Sequence, residues 1–176
     1  MVDTRRRLDR AFYQSPAPEL APRLLGRWLC RRLGRRTLRL RITETEAYFG
    51  ESDTACHARR GRTLRTDIMY AAGGHAYIYL CYGMHEMFNI VSGSEGFPEA
   101  VLIRGLEGLN GPGKLTRALA ITRDLNREDL TVSKRLWLED AGAEAAFTTA
   151  PRIGIGYASA RDRARRWRFT LARARC

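Results

Sequence analysis

The stretch RITETEAYFG, residues 41–50, sets two carboxylates, Glu44 and Glu46, two positions apart and follows them with Tyr48. The surrounding pattern predicts a strand over 37–48. Leu38, Leu40, Ile42, Glu44, Glu46 and Tyr48 fall on one side of a period-2 alternation, and an unbroken strand would turn both carboxylates toward the core. A buried, unpaired carboxylate is costly and shifts toward its neutral form. Two readings stay open for the pair. Arginine can compensate a carboxylate as a plain ion pair. Alternatively a carboxylate in a cleft with restricted water and a tuned pKa can act as a general base or stabilise a developing positive charge.

Aromatic residues provide the second constellation. His75, Tyr77, Tyr79 and Cys81 alternate onto one face of a predicted strand, Tyr82 follows at its turn, and Tyr48 ends the earlier strand. Tyrosines of this kind pack sheets well. Flat rings beside a carboxylate also suit a nucleobase, which offers a π-face and must be extruded from a duplex before chemistry can reach it. Other chemistries lack their motifs. GPGK at 111–114 is without the spacing of a phosphate loop, no HxE…PCxxC deaminase signature occurs, and neither GxSxG nor HExxH is present. His75, Cys81, His85 and Glu86 match no metal-ligand spacing, and no metal site is expected. The four cysteines form no CxxC pair, which fits reduced thiols.

Charge indicates the partner. Against 19 acidic residues stand 31 basic ones, for a net charge of +12. Lys114 and Lys134 are the lysines and the other 29 cations are arginine. The clusters 31–39, 59–65 and 161–168 could each be a solvated face, or together line a phosphate track. Pro112 and Lys114 at a helix start would suit a DNA phosphate. No apolar run approaches the ~20 residues of a membrane span, and the first residues show no secretory signal, so neither membrane nor secretion is expected.

The elements that must position these residues read as α+β. A chain of 176 residues fits one domain, 1–176. Helices are predicted over 15–26 and from 111 to 122. Strands are predicted over 27–33, 37–48, 75–83, 85–92, 99–107, 151–158 and 166–173, with a long basic loop at 51–66. Without regular βαβ alternation, the sheet should be mixed and mostly antiparallel.

Five blocks in order then resemble one family. RITETEAYFGESDTACHA, GGHAYIYLCYGMHEMFNIV, EAVLIRGLEG, GPGKLTRALAI and PRIGIGYA are similar to the segments of the alkyladenine (3-methyladenine, methylpurine) DNA glycosylases, across about residues 20–172. The resemblance implies a single domain around a curved, mostly antiparallel sheet with peripheral helices and a protruding β-hairpin. It implies base flipping from double-stranded DNA and hydrolysis of the N-glycosidic bond of alkylated or deaminated purines, with no cofactor and no lyase step. By position, Glu46 would activate the water and Arg104 help order it. Tyr48, His57 and Tyr79 would sandwich the flipped base, and Asn89 would screen guanine's amine. Tyr82 would fill the vacated space in the duplex, while Tyr77, Met84 and Lys114 would meet DNA. Glu44 would be the ion-paired, structural carboxylate. A monomer in a bacterial cytoplasm or nucleoid is the expectation. The chain departs from the family pattern at Thr66, at Gly73, at His85 and Glu86 after the wedge, and in a short loop between Glu107 and Gly111.

Overall fold

A computed structural model describes residues 6–142 and 144–172. Two short helices come first, α1 (Arg10–Tyr13) and α2 (Ala17–Arg23). β1 (Trp28–Leu33) and β2 (Arg36–Phe49) form the first hairpin, and β3 (Ala76–Cys81) and β4 (His85–Val91) form the second. β5 (Glu99–Leu106), β6 (Leu109–Asn110) and α3 (Pro112–Ala118) follow. β7 (Leu136–Glu139), β8 (Phe147–Ala150), α4 (Ala160–Ala164) and β9 (Arg168–Leu171) complete the chain. The central strand order is β3-β4-β5-β2-β1-β7, with β6 on β5 and β9 on both β2 and β8. All these pairings are antiparallel. The architecture is α+β around a curled sheet, as the sequence predicts.

The predicted strands at 27–33, 37–48, 75–83, 85–92 and 99–107 all form, and both predicted helices form in shortened versions. Ala120, at φ +46°, stops α3 early. Arg173, the end of the last predicted strand, lies outside the described residues. One predicted strand does not form. Residues 151–158, PRIGIGYA, run as loop and turns. Their Ile/Gly alternation imitates a strand, but Gly154 sits at φ +76°. Arg152 and the Ile153 N–H bond inward to Asp53 and Glu46 instead of joining a ladder.

The second correction concerns β2. Its register against β5 shifts between Ile42 and Glu44 and again between Glu44 and Thr45. A bulge of this kind inserts a residue and reverses which side chains face which way. Ile42 belongs to the main core, and Leu40 packs against it. Beyond the bulge the core side is taken by Thr45, whose hydroxyl donates to the Ala21 carbonyl, and by Ala47 and Phe49. Glu44, Glu46 and Tyr48 therefore leave the face of Leu40 and Ile42 for the opposite one.

That opposite face has its own apolar layer. Ala76, Ile78, Phe88, Ile90, Val101 and Ile103 point into the main core with α2 and α3. Their alternates Tyr77, Val91 and Ala100 pack with Cys56, Ala58, Ile68, Met69 and Tyr70 from the 51–71 segment. The long loop predicted over 51–66 holds a single turn of 3-10 helix, His57–Arg60, and a second turn, Asp67–Tyr70, follows it. The sheet thus separates a dry core from a second layer in which a cavity opens.

Candidate active site

Pairing register assembles the site. Tyr77 lies opposite Asn89, Asn89 opposite Leu102, and Leu102 opposite Glu46, giving one row across four strands. Tyr48 lies opposite Ala100 in the neighbouring row. These rows floor a cavity of about 420 Å³, within the ~300–1,000 Å³ usual for small-molecule sites. Tyr48, His57, Tyr77, Tyr79, Tyr82, Asn89 and Arg104 all line it, so seven of the predicted site residues converge on one space.

Glu46 sits immediately beneath, with no exposed surface. Tyr48 Oη donates to its Oε2 at 2.8 Å and the Ile153 N–H donates to its Oε1 at 2.8 Å. Arg104 Nε lies 3.6 Å from Glu46 Oε1 and equally far from Glu44 Oε1. That Nε is buried and makes no hydrogen bond. Burial raises the Glu46 pKa, opposed by Arg104 and the two hydrogen bonds. The result is a carboxylate held as an acceptor by two donors, incompletely neutralised, one residue layer from the cavity. Glu44 differs. Arg168 Nη1 donates to it at 2.9 Å, making it the paired carboxylate of the two.

The cavity walls are aromatic. His57 and Tyr79 stand 4.5 Å apart in an edge-to-face arrangement, and Tyr77 Oη bonds His57 Nδ1 at 2.9 Å. Burial, aided by Arg65 and Arg59, lowers the His57 pKa to about 4, so its ring is neutral near pH 7. Tyr77, expected to meet DNA, is itself buried and forms cavity wall beside His57. Asn89 is fixed by donating to the carbonyls of Tyr77 (3.1 Å) and Met87 (3.3 Å).

At the rim, the β3–β4 turn closes with the Met84 N–H on the Cys81 carbonyl. Tyr82 and Gly83 have φ of +49° and +67°. For tyrosine this left-handed backbone costs about 1–2 kcal/mol, so it marks a constrained tip. Tyr82 is 88% exposed and Met84 70%. Lys114 is exposed at the start of α3, whose Pro112 reaches the cavity. The short loop after Glu107 is a turn into β6, and it returns the Gly111 N–H to the Arg104 carbonyl.

Several site residues escaped sequence reasoning. Arg65 stacks on Tyr79 at 5.0 Å and Arg59 on Tyr157 at 4.8 Å, whereas Arg62 between them is paired with Asp67. Tyr157, Arg65 and Ile153 line the cavity. The arginine cluster 59–65 was visible in the sequence, but which members are neutralised was not. The role of the Ile153 N–H, a backbone group, leaves no trace in residue type. Among the described residues no three or more His, Cys, Asp or Glu side chains gather as a metal site, and no helix is long and apolar enough to cross a membrane.

Comparison with known proteins agrees with this geometry. Residues 11–109 and 107–175 match the family model described as Methylpurine-DNA glycosylase (MPG). A protein of Methanocella arvoryzae named "Putative 3-methyladenine DNA glycosylase" is 43% identical over 182 residues, covering 92% of this chain and 90% of its own. Proteins with the same name from Psychrobacter cryohalolentis (43% identity, 84% of each chain) and Borrelia garinii (41% identity, 93% of this chain and 95% of the relative) are similar.

Proposed function

We propose, on the premise that this chain belongs to the methylpurine-DNA glycosylase family and is a DNA glycosylase, that it excises alkylated and deaminated purines by hydrolysis. The substrate class is 3-methyladenine, 7-methylguanine, hypoxanthine and ethenoadenine in double-stranded DNA. The observation that carries this reading is Glu46, buried and under-neutralised against an aromatic cavity. In the reaction a water held between Glu46 and Arg104 loses its proton to the Glu46 carboxylate. Its oxygen bonds to C1′ as the C1′–N bond breaks and the base departs with the bonding pair. Tyr48 and the His57–Tyr79 pair stack the extruded base, and cation–π attraction favours purines that alkylation has made positive. Asn89, immobilised by two carbonyls, disfavours guanine's amine, a penalty that the positive charge and better leaving group of 7-methylguanine offset. The ring of Tyr48, Arg104 and Ile153 must part for water to reach Glu46, so DNA binding moves at least one of them.

Tyr82 on its exposed left-handed turn fills the space left by the base, with Met84 and Lys114 on the surrounding duplex. Neither lysine lines the cavity, which favours hydrolysis over a Schiff-base lyase step. We take the protein to act as a monomer in a bacterial cytoplasm or nucleoid. The test is base release from duplexes carrying hypoxanthine or 7-methylguanine, in EDTA, by wild type, Glu46→Gln and Glu44→Gln. Release should persist in EDTA, leave an intact strand with an abasic site, and fall by roughly 10²–10⁴ in Glu46→Gln, the range for loss of a general base. Glu44→Gln should lose far less. A full-rate Glu46→Gln enzyme overturns the mechanism.

A further inference from the structure

Outside the cavity the most ordered polar cluster lies behind Tyr48. Arg152 is buried, and its side chain and that of Asp53 both have zero exposure. Its two terminal nitrogens fork onto Asp53, at 2.6 Å to Oδ2 and 2.8 Å to Oδ1. The same nitrogens donate to the carbonyls of Ala47 (2.9 Å) and Asp162 (3.3 Å). Asp53 in turn accepts from the N–H groups of Phe49 and Ala55. The guanidinium carbon lies over two rings, 4.8 Å from the centre of Tyr48 and 5.1 Å from that of Trp167. Tyr48 lines the cavity and Arg152 does not, so Arg152 backs the ring on the side away from the cavity.

We propose that Arg152, held by Asp53, is a positioning residue for base excision. It presses the Tyr48 ring into place so that Tyr48 Oη stays on Glu46 Oε2. Through the adjoining peptide it also holds the Ile153 N–H on Glu46 Oε1. One dipeptide thereby fixes both donors that Glu46 receives. The inference rests on the reading of Glu46 as the base.

Two physical arguments support it. A guanidinium stacked on aromatic rings and anchored bidentately has little rotational freedom, so it constrains the ring more narrowly than apolar packing would. The other charged groups near Glu46 are Arg104 and Glu44 with its partner Arg168, while Asp53 is held by Arg152. Among the described residues Arg152 is the cation stacked on the Tyr48 ring, so it links ring position to carboxylate ionisation.

The experiment measures single-turnover excision against pH, lesion-duplex affinity and melting temperature on the full chain. The variants are Arg152→Lys, Arg152→Gln and the double variant Asp53→Leu with Arg152→Met, with Glu46→Gln alongside. Arg152→Gln should lose about 10- to 100-fold in rate, the scale of a hydrogen bond to a charged group, with affinity near wild type. The acid limb of its pH–rate profile should move upward, since both donors to Glu46 are held less firmly and a nearby cation is lost. Arg152→Lys keeps the charge without the fork, and should retain the wild-type limb while regaining only part of the rate. The double variant removes both buried charges together, so neither is left uncompensated, and it should show the same slow rate and raised limb. It decides the matter if Arg152→Gln does not fold. A folded Arg152→Gln or double variant with wild-type rate, or a slower one with an unmoved acid limb, overturns the proposal. A full-rate Glu46→Gln would instead overturn the reading beneath it.

Discussion

Asp53 and Glu46 are both carboxylates without exposed surface, seven residues apart in sequence and joined through Tyr48 and Arg152, yet their surroundings differ in kind. Asp53 has a bidentate arginine and two backbone donors, so its charge is matched and its acceptor sites are filled. Glu46 has one tyrosine hydroxyl and one backbone N–H, and its arginine stays 3.6 Å away. Burying a charge is tolerable when the partner and the geometry are complete. Where they are left incomplete, the group is basic and available for proton transfer, and such groups gather at functional sites. Asp53 is built as a scaffold carboxylate, and Glu46 has the incomplete pairing that the proposed reaction asks of its base.

The largest expected effect sets the two against each other in opposite directions. Asp53→Asn leaves Arg152 as an uncompensated buried cation and should cost about 3–5 kcal/mol of stability. Glu46→Gln should do the reverse. Because burial raises the folded pKa of Glu46, its contribution to stability is present below its ordinary carboxylate pKa and is lost as pH rises through the raised folded value. At neutral pH the uncharged amide of the Glu46→Gln variant relieves that cost, and Tyr48 can rotate its hydroxyl to accept from the amide. Melting scans at pH 7 should show Asp53→Asn far below wild type and Glu46→Gln equal or above. A Glu46→Gln protein that melts as early as Asp53→Asn would erase the distinction.

The same contrast shows what the sequence made legible. Pairing Glu44 with arginine and assigning chemistry to Glu46 followed from the ETEAY resemblance; Arg168 bonds Glu44, whereas Arg104 lies 3.6 Å from both carboxylates and does not separate them. Strands with consistent alternation, β3, β4 and β5, were readable because each has one dry face and one mixed face. β2 was readable as a strand but misleading in its facing, since a bulge is a matter of backbone register and Thr43 and Glu44 carry no mark of it. The Arg152–Asp53 pair was invisible because it joins residues 99 apart, and charge type alone cannot say which of 29 arginines meets a given carboxylate. PRIGIGYA failed as a strand for a related reason, its backbone donor being spent on a side chain instead of a ladder.

Smaller changes sharpen the comparison. Tyr82→Ser lies outside both carboxylate networks, so it should weaken lesion-specific binding and excision while leaving melting temperature and nonspecific DNA binding nearly unchanged. Equal losses for lesion and undamaged duplexes in a binding titration would remove the wedge role. Tyr48→Phe deletes the one side-chain donor to Glu46 and keeps the ring over Arg152. Loss of a hydrogen bond to a charged group is worth ~1.5–3 kcal/mol, so excision should slow by about tenfold or more and the acid limb should rise. An unmoved limb would mean that Tyr48 serves the base alone and that Glu46 is set by other groups.

The smallest effect concerns a titration on the opposite wall. His57 has its folded pKa lowered to about 4 from an ordinary 6.5, chiefly by burial and then by Arg65 and Arg59. A depressed folded value means that the neutral ring stabilises the fold fully above pH 6.5, and that this contribution is lost progressively as pH falls toward 4. Urea denaturation of wild type should therefore show stability declining across that window. His57→Gln, which retains a hydrogen-bonding partner for Tyr77, should flatten the decline. Glu46 titrates with the opposite sign, since its protonation relieves a buried charge, so the Glu46→Gln variant should decline more steeply than wild type over any part of the window in which Glu46 takes up its proton. If His57→Gln and wild type decline in parallel, the wall of the cavity is wetter than its burial implies, and the stacking of a base there would have to expel that water before it gained anything from His57.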